Sequence, residues 1–536
     1  MSEEPPPPVD GERELPDEWD RAAAWLAKHG ALPAVGVLTI VVAIIYSGVF
    51  RGEPRGDDLT FHMAEARRLA DCIRDGDWDF WNPSGNGGFA SLYYYQAIPQ
   101  LASAIPAAVT GHFLFWFQLS VYLPHVVMPA TTYRGARLLG ATPWQAFGAA
   151  LAVAFLCGES RWGQGADGTF NVGLYTQTWA LSAFPLALGY ATRWITEGKH
   201  LPAAIAWGAF VTMCHPFAGI SVGLALVVGV AVHLLASLAM EMTRSQRLAV
   251  IVGAACTLVL GAAAAKLGNP AFGVKVAIAL LSCTGMSVAI PILSQRIAPV
   301  KAVVLFGAFI GLAFSCFLMF YRWQLLHLVP VTLFAAITGR LVWEIGTERR
   351  SERDRFVPLF SVEVPRLIVL GVCMLLAAMP VWITVLVDYE GFGGFPHRVH
   401  DEVGPGYTLL MTWQVKHAIL DFERPPILTW LIPVVIFLGR GKFLRWLWMP
   451  ALVFALLLVA GPHMPKTADD LLPAVRFLGA MQIVLGIAVG AGAVAIGQTM
   501  WQAAERSVTW WATRLGFFIG VLGLAVILAW MFLLGG

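Results

Sequence analysis

Charged residues are scarce: Asp, Glu, Lys and Arg make up only 13% of the 536 residues, against 57% hydrophobic. With so few solvating side chains, the chain cannot be an ordinary water-soluble globular protein. The formal charge of +2, with no long Lys/Arg block, argues against a nucleic-acid partner. The seven cysteines (Cys72, Cys157, Cys214, Cys256, Cys283, Cys316 and Cys373) stand singly, without CxxC or metal-type spacing, and read as packing residues. HExxH, Gly-x-Ser-x-Gly, a P-loop and a strand-borne Gly-x-Gly-x-x-Gly are all absent, which disfavours soluble nucleotide-sugar chemistry. The N-terminal stretch, residues 1–30, is acidic and proline-rich, including Pro5 to Pro8, and lacks a signal-peptide layout. It is expected to begin as a disordered cytoplasmic segment, with Ala31 to Phe50 kept as the first membrane span.

What is plentiful is apolar sequence in runs of bilayer length, with a mean hydropathy of +0.67. The expected fold class is an all-α polytopic membrane protein of roughly thirteen to fifteen spans between residues 31 and 536. The spans include His112 to Tyr133, Thr142 to Cys157, Thr176 to Ala191, Leu201 to Cys214, Phe217 to Leu238, Leu367 to Val387 and Val475 to Ile496. With the N-terminus inside, alternate connections carry Arg134/Arg137, Arg193/Lys199, Arg244/Arg247, Arg349/Arg350 and Arg506/Arg514, the positive-inside pattern of an inner (plasma) membrane protein. Four sizeable segments then face outward: residues 51–111, 158–175, 388–426 and 461–474. The first also holds Arg51, Arg55, Arg67, Arg68 and Arg74, but charge bias weakens over long connections.

That first loop is the most informative. Residues 57–73 have helical spacing, with Leu59, Met63, Ala66, Leu69 and Ala70 forming an apolar stripe and Asp58, His62, Glu65 and Arg68 near one polar line. The spacing predicts an amphipathic juxtamembrane helix. Trp78 to Pro83 and the turn residues Gly85-Asn86-Gly87-Gly88 follow, and then Tyr93-Tyr94-Tyr95 opens a half-apolar segment expected at the interface or partway into the bilayer. Asp57 and Asp58 are candidate catalytic carboxylates; they also suit an ordinary helix cap.

The pair after the first span (Gly56-Asp57-Asp58-Leu59-Thr60-Phe61-His62), the Asn82-Pro83 to Gly88 turn, the Tyr-rich segment and the late Pro473-Ala474-Val475-Arg476-Phe477 together resemble the GT-C membrane glycosyltransferases. Within that superfamily the chain looks most like the bacterial branch labelled 6-pyruvoyl-tetrahydropterin-synthase-related membrane proteins. The resemblance implies a polyprenyl-phosphate-linked sugar as donor, inverting transfer on the extracytoplasmic side, and a glycan, lipid or protein as acceptor. It assigns Asp58 as base, Asp57 as second carboxylate, His62 as an orienting group and Arg476 as a clamp on the departing phosphate, with Tyr94 and Tyr95 as substrate contacts. Arg476 also fits a plain snorkelling arginine. Asp57-Asp58 is adjacent rather than spaced as Asp-x-Asp, so metal use stays open; a divalent cation (Mg or Mn) would fall to these two.

The second informative loop, residues 388–426, packs Gly391 to Pro396 against His397, Arg398, His400, Asp401 and Glu402. It reads as a candidate substrate lid, with His397 and His400 as substrate contacts and Arg398 a second phosphate ligand. The rival class is a secondary transporter or a flippase for lipid-linked glycans. Such proteins place ionisable groups at mid-membrane and show related halves, whereas here the span centres are nearly free of charge and no repeat is visible.

Overall fold

The computed structural model describes residues 25–26, 29–83, 88–92, 97–156, 163–241, 356–387, 446–448, 450–451, 454 and 474–505. Tyr94, Tyr95, His397, Arg398, His400, the 388–426 loop and the expected spans between residues 249 and 342 lie outside them. The full span count therefore lies outside them too.

The described chain is almost entirely helical. α1 (Ala31–Tyr46) runs into a 3-10 turn (Ser47–Arg51), and α2 (Asp57–Asp75) follows. Two two-residue strands, β1 (Trp81–Asn82) and β2 (Phe89–Ala90), pair antiparallel. Then come α3 (Ala97–Thr110), α4 (Phe113–Leu139), α5 (Pro143–Ala154), a π turn (Gly168–Val172), α6 (Tyr175–Glu197), α7 (Leu201–Cys214) and α8 (Pro216–Glu241). After residue 355 the described helices are α9 (Phe356–Ala377), α10 (Met379–Val387) and, after a 3-10 turn (Ala474–Phe477), α11 (Leu478–Glu505).

Three of these helical segments are long and apolar enough to cross a bilayer: Ala31–Arg51, Phe113–Leu139 and Leu478–Gln498. This is an integral membrane protein of all-α architecture. α1 lies at the periphery, turning Leu32, Val37, Ile40 and Ile44 outward and Leu38 and Val42 inward, as a lipid-facing helix does. α11 is its opposite, a central helix with nearly every side chain from Phe477 to Ala491 buried.

What lets α11 sit so deep is a seam of small residues. A Cβ on Gly148 of α5 would come within 2.5 Å of the Gly490 carbonyl oxygen, and one on Gly490 would strike the Gly148 carbonyl. Such close backbone approach is how helices associate where lipid supplies no hydrophobic drive. α5 is itself well started: Pro143 occupies its first turn, and Thr142 and Gln145 form a reciprocal capping box, satisfying two otherwise open backbone N–H groups. α4 carries Pro124 and Pro129 in its interior, and α6 carries Pro185. Packed neighbours and side-chain donors such as Thr131, whose hydroxyl donates to the Ser182 carbonyl, make such prolines tolerable in membrane helices.

The two ends of the bundle differ. At one end the helix termini of α4 to α7 carry Arg134, Arg137, Arg193 and Lys199. There Arg193 pairs with Glu197 and donates to the Leu138 carbonyl, and Arg137 donates to the Ala141 carbonyl. At the other end α2, the hairpin and α3 pack over the start of α4 and α6, around a separate apolar cluster of Leu59, Ala66, Leu69, Ala104, Phe117 and Tyr175. The segment from residue 97, expected at the interface or partway into the bilayer, is a helix.

Replacing Gly490 with Leu should therefore part α5 from α11 and lower the thermal midpoint of the detergent-purified protein by several degrees, in line with an overpacking penalty of about 1–3 kcal/mol. Gly36→Leu, at a position with open space around it, should leave the midpoint unchanged. Equal midpoints for both variants would show that the seam carries no stability.

Candidate functional site

The N-cap of α2 is Gly56, so Asp57 and Asp58 sit in the first helical turn and neither occupies the cap position. Both are exposed, where the partial positive charge of the helix N-terminus favours carboxylates. The position is fixed from below by the π turn. Gly173 has φ +92°, and a Cβ there would collide with the backbone at Asp58 and Leu59; only glycine meets both demands without strain. A Cβ on Gly56 would likewise come within 2.5 Å of the Phe170 carbonyl oxygen. The second loop thus seats the acidic end of α2.

Along the polar line expected for α2, Asp58 is exposed and Arg68 partly so, but His62 and Glu65 are buried. The correction has a plain cause. α3 and the hairpin cover that face and supply polar partners there. Glu65 accepts from Asn82 Nδ2 and, at 3.0 Å, from Ser91 Oγ, while Arg68 donates to the Trp81 carbonyl at 2.9 Å and to Asp77 at 3.1 Å. One carboxylate and one guanidinium therefore clamp the hairpin to α2 from either side.

His62 points the other way, into the bundle. Its Nδ1 lies 3.5 Å from Gln100 Nε2, and its ring lies 5.6 Å from that of Tyr175. Burial lowers its pKa to about 4, so the imidazole is neutral at ordinary pH. Tyr175 bonds to Ser120 Oγ at 2.8 Å and donates to the Pro99 carbonyl. It ties α3, α4 and α6 together beneath the site.

Arg476 lies in the 3-10 turn that leads into α11, beside Phe477, which is fully buried and stacked on Phe454. That turn packs against α8. His215 is the single residue joining α7 to α8. Burial lowers His215 to about 3, and the Arg476 guanidinium and His62 push in the same direction. Residues 62, 215 and 476 are therefore drawn to one end of the bundle, although long stretches of chain separate them. Asp57 and Asp58 sit at the start of the same helix as His62, one turn away.

Of the residues expected at a site, Asp57, Asp58, His62 and Arg476 are thus gathered at one end of the bundle. Tyr94, Tyr95, His397, Arg398 and His400 lie outside the described residues. Among the described residues no three His, Cys, Asp or Glu side chains gather as a metal site would require, so Asp57 and Asp58 bring no third ligand of that kind. Gln100, Tyr175 and His215 carry no motif. The one available signal was His215-Pro216 at a tight bend between two apolar runs, a place where a polar ring cannot reach water by snorkelling.

These features define an integral membrane protein with a polar, partly acidic site built at one end of a helical bundle. No protein-family model matches the chain, and no curated protein matches it. Among solved structures it is similar to an apo-form oligosaccharyltransferase from Archaeoglobus fulgidus, at 12% identity and a TM-score of 0.45. That likeness takes in 93% of this chain and 55% of the other, so the chain spans about half the length of the protein it matches. At this level the likeness carries no argument about chemistry.

Because His62 titrates at 6.5 when unfolded and about 4 when folded, the unfolded state alone takes up a proton as pH falls between those values. The stabilisation is complete above pH 6.5 and is lost on acidification toward 4. His62→Gln cannot take up that proton. Its thermal midpoint in detergent should fall less steeply than wild type between pH 7 and 4.5; identical slopes would place His62 in a solvated setting instead.

Proposed function

We propose that the protein is a membrane glycosyltransferase that moves a sugar from a polyprenyl-phosphate carrier to a hydroxyl-bearing acceptor, a glycan, lipid or protein. The observation that carries this reading is the convergence of the α2 carboxylate end with Arg476, through His62 and His215, at one end of a membrane bundle. Transfer from a phospholipid-linked sugar needs a base for the acceptor and a cation for the departing phosphate, both held where an apolar tail can stay in lipid.

Asp58 takes the proton of the acceptor hydroxyl as its oxygen attacks the anomeric carbon. The bond from that carbon to the phosphate oxygen breaks, and the negative charge gathering on the phosphate is met by the Arg476 guanidinium, whose planar fork of donors suits it. In-line attack opposite the leaving group inverts the anomeric centre. Asp57 supports Asp58 as the second carboxylate of the turn, and Arg398, His397, His400, Tyr94 and Tyr95 complete the substrate contacts. No step is routed through a cation; Mg or Mn, where used, would be held by Asp57 and Asp58. The N-terminus lies inside and the site faces outward across the inner membrane, because the arginine-rich helix ends then meet the cytoplasm.

In membranes supplied with a radiolabelled lipid-linked sugar, Asp58→Asn should lower transfer by about 10²- to 10⁴-fold, with expression unchanged. Arg476→Ala should cost about 10²- to 10³-fold, and Arg476→Lys less. Wild-type rates for Asp58→Asn would remove it as the base, and wild-type rates for Arg476→Ala would return that residue to a headgroup anchor.

A further inference from the structure

Two polar atoms at the site are sealed from water without a hydrogen bond: Oε1 of Gln100 and Nδ1 of His215. Their residues are 1% and 4% exposed. A buried polar atom left so is destabilising because it has given up water for nothing, and native proteins keep few of them without a reason. Both lie at the end of the bundle just described: α3 packs on α7, the turn holding Arg476 packs on α8, which His215 immediately precedes, and His62 contacts Gln100.

The chemistry of the two atoms narrows what fits. An amide Oε1 only accepts, so its missing partner is a donor. A neutral imidazole offers one N–H and one acceptor nitrogen, so Nδ1 of His215 takes either role. A hydroxyl donates and accepts at once. A hydroxyl therefore suits either atom, whereas an ionised phosphate oxygen would satisfy only the histidine. With its Nδ1 toward Gln100 Nε2, His62 fixes the amide so that Oε1 is the free end; it is a positioning residue.

We propose that Gln100 and His215 form the subsite that reads the hydroxyls of the donor sugar, beside the phosphate held by Arg476. This rests on the transferase reading above and adds to it a basis for choosing among sugars. A site built to bond a hydroxyl rejects a ligand lacking it far more strongly than an apolar pocket rejects a missing methylene, because the site's own polar groups are then stranded. Gln100 and His215 are therefore specificity residues, while Asp58 and Arg476 act on the bonds that change.

The test uses the full chain in lipid nanodiscs, titrated calorimetrically with farnesyl phosphate and with four farnesyl-phosphoryl sugars carrying glucose, mannose, galactose or N-acetylglucosamine. Wild type should bind at least one sugar conjugate more tightly than farnesyl phosphate. Gln100→Leu and His215→Phe should each cut that advantage by about tenfold to a hundredfold, while farnesyl phosphate affinity stays within about twofold, which also certifies that the variants fold. Gln100→Glu, which keeps an acceptor, should recover part of it. A monodeoxy analogue of the preferred sugar should lose as much on wild type as the full sugar loses on Gln100→Leu, and no more on the variant. The inference fails when both variants keep the preference, or when no sugar is preferred over farnesyl phosphate. Failure of wild type to bind farnesyl phosphate or any conjugate would instead bring down the transferase reading itself.

Discussion

The docking of α2 onto the bundle is the interaction on which the rest depends. Its stripe of Leu59, Ala66, Leu69 and Ala70 is buried against α3 and the start of α4, each large aliphatic side chain contributing about 1.5–3 kcal/mol. Those residues alone would hold the helix without fixing its rotation. Rotation is set by polar pairs that tolerate no slippage: Glu65 with Asn82 and Ser91, Arg68 with the Trp81 carbonyl, and His62 with Gln100. The exposure of Asp57 and Asp58 follows, since they sit on the turn that the π segment props from beneath. Two carboxylates thus stay in contact with water on a helix that is itself anchored.

The interior below is unusual for a membrane bundle in gathering polar rings and amides at one end: His62, Gln100, Tyr175 and His215 all lie within the packed structure. Burial keeps both imidazoles neutral, so they act as hydrogen-bonding groups and leave Arg476 as the positive charge of the cluster. The Gly148 and Gly490 seam matters to this from a distance, because it lets α11 sit centrally and so brings its leading turn, with Arg476, against α8.

Much of the fold was legible from the residues. Apolar runs mark α1, α7 and α8 to within a few positions, whereas α4 and α11 run on past the expected ends Tyr133 and Ile496 to Leu139 and Glu505; in lipid a backbone must satisfy its own hydrogen bonds, and the helix is the economical way to do so. Residues 57–73 reveal their helix by periodicity alone. Less legible were Ala97–Thr110, where Pro99 and Pro106 mask a helix, and the inward turn of His62 and Glu65, since polar residues on an amphipathic helix are ordinarily assigned to water. His215 offered only its proline neighbour, and Gln100 offered nothing.

The sequence by itself determined that this chain lives in a membrane, that it is helical, and which short stretches gather polar and charged residues, because those follow from composition and local spacing. Which of these stretches meet was decided by tertiary structure alone. Asp58 and His62 share α2, while His215 and Arg476 lie on two further pieces of chain, and the meeting of these three pieces depends on helix crossings set by glycine contacts and buried hydrogen bonds. Such contacts are pairwise and long-range, so no single segment records them.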